Sequence, residues 1–219
     1  MSKFVKMFLT LTVLGVISGL ILSGVFRMAD PLIKANKEKE LKSAIFTVLP
    51  GARDYRTIRK TIGKGHGKGK EEEAVVYVGL GAEKTPIGIA FKADGNGFQG
   101  NVAVMVGLDL DYLKLKGIEV LDQVETPGLG NRIVEPQFKE QFKGVEVKPK
   151  IEYIKYRKPE KPNQIQAITG ATISSDAVVS NINRAVKRVT GLFKKEDIQR
   201  AVEEPGAVHE TLKEKTDGS

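Results

Sequence analysis

Gly95-Asn96-Gly97-Phe98-Gln99-Gly100-Asn101-Val102-Ala103-Val104-Met105-Val106-Gly107 has two possible readings, and choosing between them selects the fold class. Its first six residues satisfy G-x-G-x-x-G and follow the strand-like run Ile87–Lys92. In a dinucleotide-binding fingerprint those glycines open a helix and bring the backbone close to a pyrophosphate. Here the residues after Gly100 alternate and branch like a second strand. The stretch is therefore a glycine-rich hairpin, and the sheet around it is antiparallel or mixed rather than doubly wound.

Further strands are expected at Ala74–Leu80, Ile87–Lys92, Val102–Val106, Leu113–Leu121 and Val145–Tyr156, each β-rich and bounded by turn residues. Ser175–Phe193 carries Val178, Val179, Ile182, Ala185, Val186 and Val189 at helical spacing, with Lys187 and Arg188 facing away. Packing that helix on the sheet gives an α+β domain. Residues 62–73 are too glycine-rich and charged to bury and read as a mobile loop. They lack the Ser or Thr after Gly-Lys that a phosphate loop needs.

Met7–Phe26 contains no charged residue and is flanked by Lys3 and Lys6 before it and Arg27 after it. About 20 apolar residues suffice to span a bilayer as a helix. A cleaved signal peptide competes with this reading, but its apolar region is usually shorter and its small-x-small cleavage site is not evident here. After the span, Asp30 is expected to cap a helix with Pro31 at its first position, ending at Pro50-Gly51. The expected organisation is an anchor over 1–27, a single domain over 28–203, and a polar, frayed tail over 204–219.

Composition narrows the chemistry. The 219 residues include no cysteine and two histidines, His66 and His209. This excludes thiolate metal sites, iron–sulfur clusters, disulfides and a cysteine nucleophile, and neither histidine has a metal-ligand partner at suitable spacing. No metal site is expected, and redox work would require a bound organic cofactor. The net charge of +8 is spread among acids without a nucleic-acid motif, so no nucleic-acid partner is expected.

Two stretches carry candidate binding chemistry. Thr169-Gly170-Ala171-Thr172-Ile173-Ser174-Ser175 puts a flexible turn and several hydroxyls before a helix, whose first turn attracts anions. The same residues also serve as an ordinary start to a surface helix, with Ser174 and Ser175 as N-caps. Glu125-Thr126-Pro127-Gly128-Leu129-Gly130 joins a carboxylate, a hydroxyl and a rigid turn, with Leu129 able to lie against a flat ring. The Lys148–Lys161 region, with Tyr153, Tyr156 and Arg157, reads as a solvated β-ribbon edge and is assigned no site.

Together these pieces resemble the FMN-binding domain family shared by the G subunit of the Rnf ion-translocating ferredoxin:NAD oxidoreductase and the C subunit of the sodium-translocating NADH:quinone oxidoreductase. The former is the nearer likeness. The resemblance runs in order through the anchor, the helix ending at Leu49-Pro50, the hairpin with Val106-Gly107-Leu108-Asp109, Glu125–Gly130 and Thr169–Thr172. It implies that a flavin transferase joins FMN through its phosphate to the last threonine of D-x-x-(S/T)-G-A-T, here Thr172. It also implies that Glu125, Thr126, Gly128, Leu129 and Gly130 lie along the flavin, and that Gly97 and Gly100 belong to the same fold. Thr169, Gly170, Ala171 and Ser174 complete the expected cofactor site. Gln166 stands where the family usually has aspartate, which keeps hydrogen-bonding capacity and loses the charge.

The resulting expectation is a single-pass subunit of the inner membrane, its domain on the extracytoplasmic side, relaying electrons through FMN among other membrane subunits of an ion-translocating complex. No side chain is expected to act as a catalytic acid, base or nucleophile on a substrate. Two rival expectations are an FMN carrier of another extracytoplasmic respiratory chain and an anchored non-redox adaptor for an anionic partner.

Overall fold

The structure is a computed structural model that describes residues 2–64, 71–203 and 209–212. The chain divides into two compact units, Met1–Lys42 and Ser43–Ser219.

The first unit belongs to helix α1 (Lys3–Val48), which has an 18-residue window of mean hydropathy 2.2 with none of it buried. By length and composition this helix can cross a membrane. The separate helix expected from Asp30 does not form, because α1 runs unbroken through Pro31. Asp30 pairs instead with Lys34 at 2.6 Å, one turn on. An interior proline costs about 3 kcal/mol, yet extending a formed helix avoids a second costly nucleation.

The second unit is built on a six-stranded sheet: β1 (Asp54–Lys64), β2 (Glu71–Leu80), β3 (Pro86–Asn96), β4 (Asn101–Leu108), β5 (Leu115–Gln123) and β8 (His209–Leu212). The spatial order is β5-β4-β3-β2-β1-β8, antiparallel throughout except that β8 runs parallel to β1. Asn96 faces Asn101 across the β3–β4 hairpin, and Gly97 N donates to Gly100 O at 2.6 Å to close it. The hairpin reading of the glycine fingerprint thus holds.

Several local expectations need correction. The loop expected over 62–73 is strand at 62–64 and 71–73, with 65–70 outside the described residues. Backbone pairing of β1 with β2 overrides the charged composition, and Arg59 meets Glu73 across the ladder at 3.7 Å. Strand β1 has no simple apolar alternation, which hid it. Within the expected frayed tail, His209–Leu212 pairs with the open edge of β1, where unpaired backbone groups wait; 204–208 and 213–219 lie outside the described residues.

The strand expected over 145–156 is reduced to β6 (Glu152–Ile154), paired in parallel with β7 (Gln164–Gln166), and an isolated bridge from Glu146 to Lys114. Pro149 lacks the N–H that a continuous ladder needs. A short helix, α2 (Pro136–Lys139), precedes these strands.

Helix α3 (Thr172–Leu192) lies on the sheet and buries Val178, Ile182, Val186 and Val189 with Val76, Val78, Phe91, Val104 and Val106. Helix α4 (Lys195–Glu203) follows, with Ile198 and Ala201 in the same core. The end of α1 also packs on this unit through the buried Ala44, Ile45, Val48 and Leu49. Glycines on three adjacent strands make room for it. A Cβ at Gly79 would sit 2.6 Å from Leu49 Cδ1, one at Gly88 2.9 Å from Leu49 Cδ2, and one at Gly107 would collide with the Val48 carbonyl.

Candidate functional site

Three segments converge at one end of the sheet: the β3–β4 hairpin tip, the chain leaving β5, and the start of α3. They enclose a cavity of about 270 Å³ lined by Phe98, Glu125, Thr126, Leu129, Gly130, Tyr156 and the run Gly170–Ser174.

Glu125 joins the three segments. Its carboxylate is 4% exposed, and Oε1 accepts from Phe98 N at 2.7 Å and Gln99 N at 3.2 Å. Oε2 accepts from the Ser174 hydroxyl in a short hydrogen bond. A buried carboxylate is tolerable only when its oxygens are met by donors in this way. The neighbouring glycines permit the approach: a Cβ at Gly130 would lie 2.6 Å from Oε2, and one at Gly97 would overlap Oε1. Glu125 thus faces inward and ties loops together.

The α3 start has a more specific geometry than a generic cap. Helix α3 opens at Thr172 after Ala171, with no side-chain cap. Ser174 and Ser175, expected as N-caps, lie inside the first turn and are 3% and 0% exposed. Ser175 Oγ accepts from Ile168 N and donates to Ala171 O, both at 3.0 Å. Ser175 N donates to Ala171 O, also at 3.0 Å. The amides of Thr172, Ile173 and Ser174 are the donors that a helix start leaves over, and all three residues line the cavity. Gly170 turns the chain into the helix with φ +84, a conformation that costs glycine little.

Of the hydroxyls in this stretch, Ser174 and Ser175 are engaged, whereas Thr169 is exposed and does not line the cavity. Thr172 lines it, and among the described residues its hydroxyl has no hydrogen-bond partner. Gly97, Gly100 and Gly128 shape the surrounding loops without lining the cavity: Gly100 leaves room for Val124, and Gly128 N donates to Asn131 Oδ1 at 2.8 Å.

Three lining residues escape sequence reasoning, Ile173 among them although it sits within the hydroxyl-rich stretch. Phe98 reads there as part of a hairpin and Tyr156 as ribbon edge, yet they reach the same cavity and are 60% and 81% exposed. With Leu129 and Ile173, also exposed, they give the opening an apolar rim. An aromatic between basic residues, as Tyr156 is between Lys155 and Arg157, signals such a role only when the fold brings it to a site.

These residues fit FMN. Three helix-start amides suit its phosphate, and the cavity with its apolar rim suits a planar ring that is partly covered.

Comparison with known proteins agrees. The FMN-binding domain family matches residues 97–187, a span that includes every cavity-lining residue. The G subunit of the ion-translocating oxidoreductase complex of Methanosarcina acetivorans is 26% identical over 189 residues, 86% of this chain and 96% of that protein. Its counterpart in the Na(+)-translocating ferredoxin:NAD(+) oxidoreductase complex of Acetobacterium woodii is 34% identical over 161 residues, 73% of this chain and 74% of that protein. In fold, the crystal structure of Shewanella oneidensis NqrC matches with a TM-score of 0.60 at 15% identity, over 77% of this chain and 99% of that one. On this likeness, the chain belongs to the family of G subunits of ion-translocating oxidoreductase complexes, and its folded unit contains an FMN-binding domain.

Proposed function

We propose that this protein is a membrane-anchored relay that carries FMN on Thr172, through a phosphoester to Oγ1, within an ion-translocating ferredoxin:NAD oxidoreductase complex. The carrying observation is the state of Thr172, a cavity-lining hydroxyl with no partner among the described residues, beside hydroxyls already engaged. FMN supplies electron acceptance and donation at its ring when bound.

The chain's own residues hold and shield the group. The amides of Thr172, Ile173 and Ser174 bind the phosphate oxygens, and the α3 dipole favours that charge. Leu129, Ile173, Phe98 and Tyr156 cover part of the ring and exclude water from it. Glu125 keeps the hairpin and the α3 start at fixed separation. Gln166, shortly before the tether in the chain, has its main chain held by Gln141: Gln166 N donates to Oε1 at 2.8 Å, and Gln166 O accepts from Nε2 at 3.3 Å. That clamp supports an ordered tether without a charge at Gln166.

Helix α1 spans the inner membrane once, with residues 1–27 as the anchor and 28–203 as the extracytoplasmic domain. A single span forms no ion path, so other membrane subunits supply one, and a flavin transferase loads Thr172 during maturation.

Co-expression with and without a flavin transferase tests the reading. Denatured wild-type chain is expected to fluoresce in a gel and to gain the mass of one FMN residue, while Thr172→Ala loses both signals. Flavin retained on denatured Thr172→Ala moves the tether elsewhere, and a wild-type chain without covalent flavin removes the bond from the proposal.

A further inference from the structure

A second cavity, about 540 Å³ against 270 Å³ for the first, opens between Val147–Lys150 and the C-terminal half of α3. It is a separate place. Fifteen residues of α3 separate Thr172 from Lys187, or roughly 22 Å at the helical rise.

Its floor is apolar, formed by the buried Tyr112, Val147 and Val186, while Lys148, Lys150, Arg184 and Lys187 stand around the opening. Among the described residues no carboxylate lines it. The nearest acids in sequence are committed elsewhere, Asp111 to Lys195 and Glu146 to Lys114. Among the described residues Lys148, Lys150 and Lys187 make no ion pair. Arg184 turns its guanidinium toward β3, its Nη2 donating to Asn181 Oδ1 at 2.8 Å and lying 3.3 Å from where a Cβ on Gly95 would stand, so the lysines are the cations free to face a ligand.

The neutral polar groups of the wall are internally satisfied. Asn183 uses both amide atoms on the Ile151 backbone at 2.8 Å, Tyr112 OH donates to Phe193 O at 3.2 Å, and Thr190 Oγ1 donates to Val186 O at 2.9 Å. A ligand therefore meets cations and an apolar floor. The three lysine charges around the concavity repel one another, and a multiply charged anion relieves that repulsion. A lysine face that is merely solvated needs no cavity, and this volume lies in the range of small-molecule sites.

We propose that this cavity binds a phosphate ester, its charged group met by Lys148, Lys150 and Lys187 and its organic body resting on Tyr112, Val147 and Val186. Such a group arrives on a soluble nucleotide or on an anionic phospholipid headgroup.

The test is titration calorimetry on full-length, flavin-loaded protein in neutral detergent, with ADP and with short-chain phosphatidylglycerol as separate probes. The expected result is one site per chain for at least one probe, with affinity falling as salt rises. Lys148→Gln/Lys187→Gln is expected to weaken binding by about tenfold at low ionic strength, and Lys158→Gln/Lys161→Gln to leave it unchanged. Binding of ADP alone identifies a soluble source, and binding of phosphatidylglycerol alone a lipid one. No binding of either probe, binding that survives the Lys148/Lys187 double substitution, or equal loss in the Lys158/Lys161 control overturns the proposal. Circular dichroism on both variants separates lost binding from lost folding.

Discussion

Glu125 illustrates how much a single side chain depends on its surroundings. Family resemblance implies a place along the flavin; Glu125 lines the cavity, and its oxygens are met by Phe98 N, Gln99 N and Ser174 Oγ, so it also holds the cavity walls. Glu125→Ala strands three donors and is expected to cost about 3 kcal/mol, seen as a lower urea midpoint of the full-length protein in detergent. A loss below about 0.5 kcal/mol, the range of an ordinary surface substitution, would remove Glu125 from this role. The residue type was legible in the sequence, but its direction was not, because the donors come from positions up to 49 residues away.

Among the elements, α4 is fastened to the sheet by a nearly buried ion pair. Lys60 Nζ lies 2.7 Å from Asp197 Oδ2, with side chains 6% and 11% exposed, and 5.5 Å over the Phe193 ring. Burial alone would raise the Asp197 pKa, but the Lys60 hydrogen bond, the Lys194 amide and the charges of Lys60 and Arg200 outweigh it and hold the carboxyl below its ordinary value. A lowered folded pKa gives stability that is present above the unfolded value of about 4 and is lost as pH falls through the folded one. Beside it, burial and then the charges of Asp197 and Glu196 push the Tyr112 phenol up to about 12. That contribution is complete below pH about 10 and is lost as pH rises toward the folded value. Chemical denaturation from pH 2 to 12 is expected to show both losses, with Asp197→Asn removing most of the acid-side slope. At the other face of the sheet, Gly107→Ala drives a Cβ into the Val48 carbonyl, a backbone atom that cannot swing aside. A cost of about 3 kcal/mol in denaturant unfolding is expected, and a neutral substitution would mean that the end of α1 does not seat there.

As a whole molecule, the chain joins an exposed apolar helix to a compact unit that begins at Ser43. Deleting residues 1–42 is expected to move the protein from the membrane fraction to the soluble one while changing unfolding free energy by less than about 0.5 kcal/mol; a truncated chain that fails to fold would show that the unit needs the helix. The hairpin at Gly97, the long helix after Thr172, the apolar span and the two loop stretches that enclose the cavity could all be read from the chain. Each is a local matter of side-chain period, turn chemistry and uninterrupted apolar length. Strand β1, the passage of α1 through Pro31, the inward turn of Glu125 and the arrival of Tyr156 at the cavity could not be read there. They arise where distant segments compete to pair backbone groups, satisfy a buried charge and cover apolar surface, and that competition is resolved only once the chain has folded.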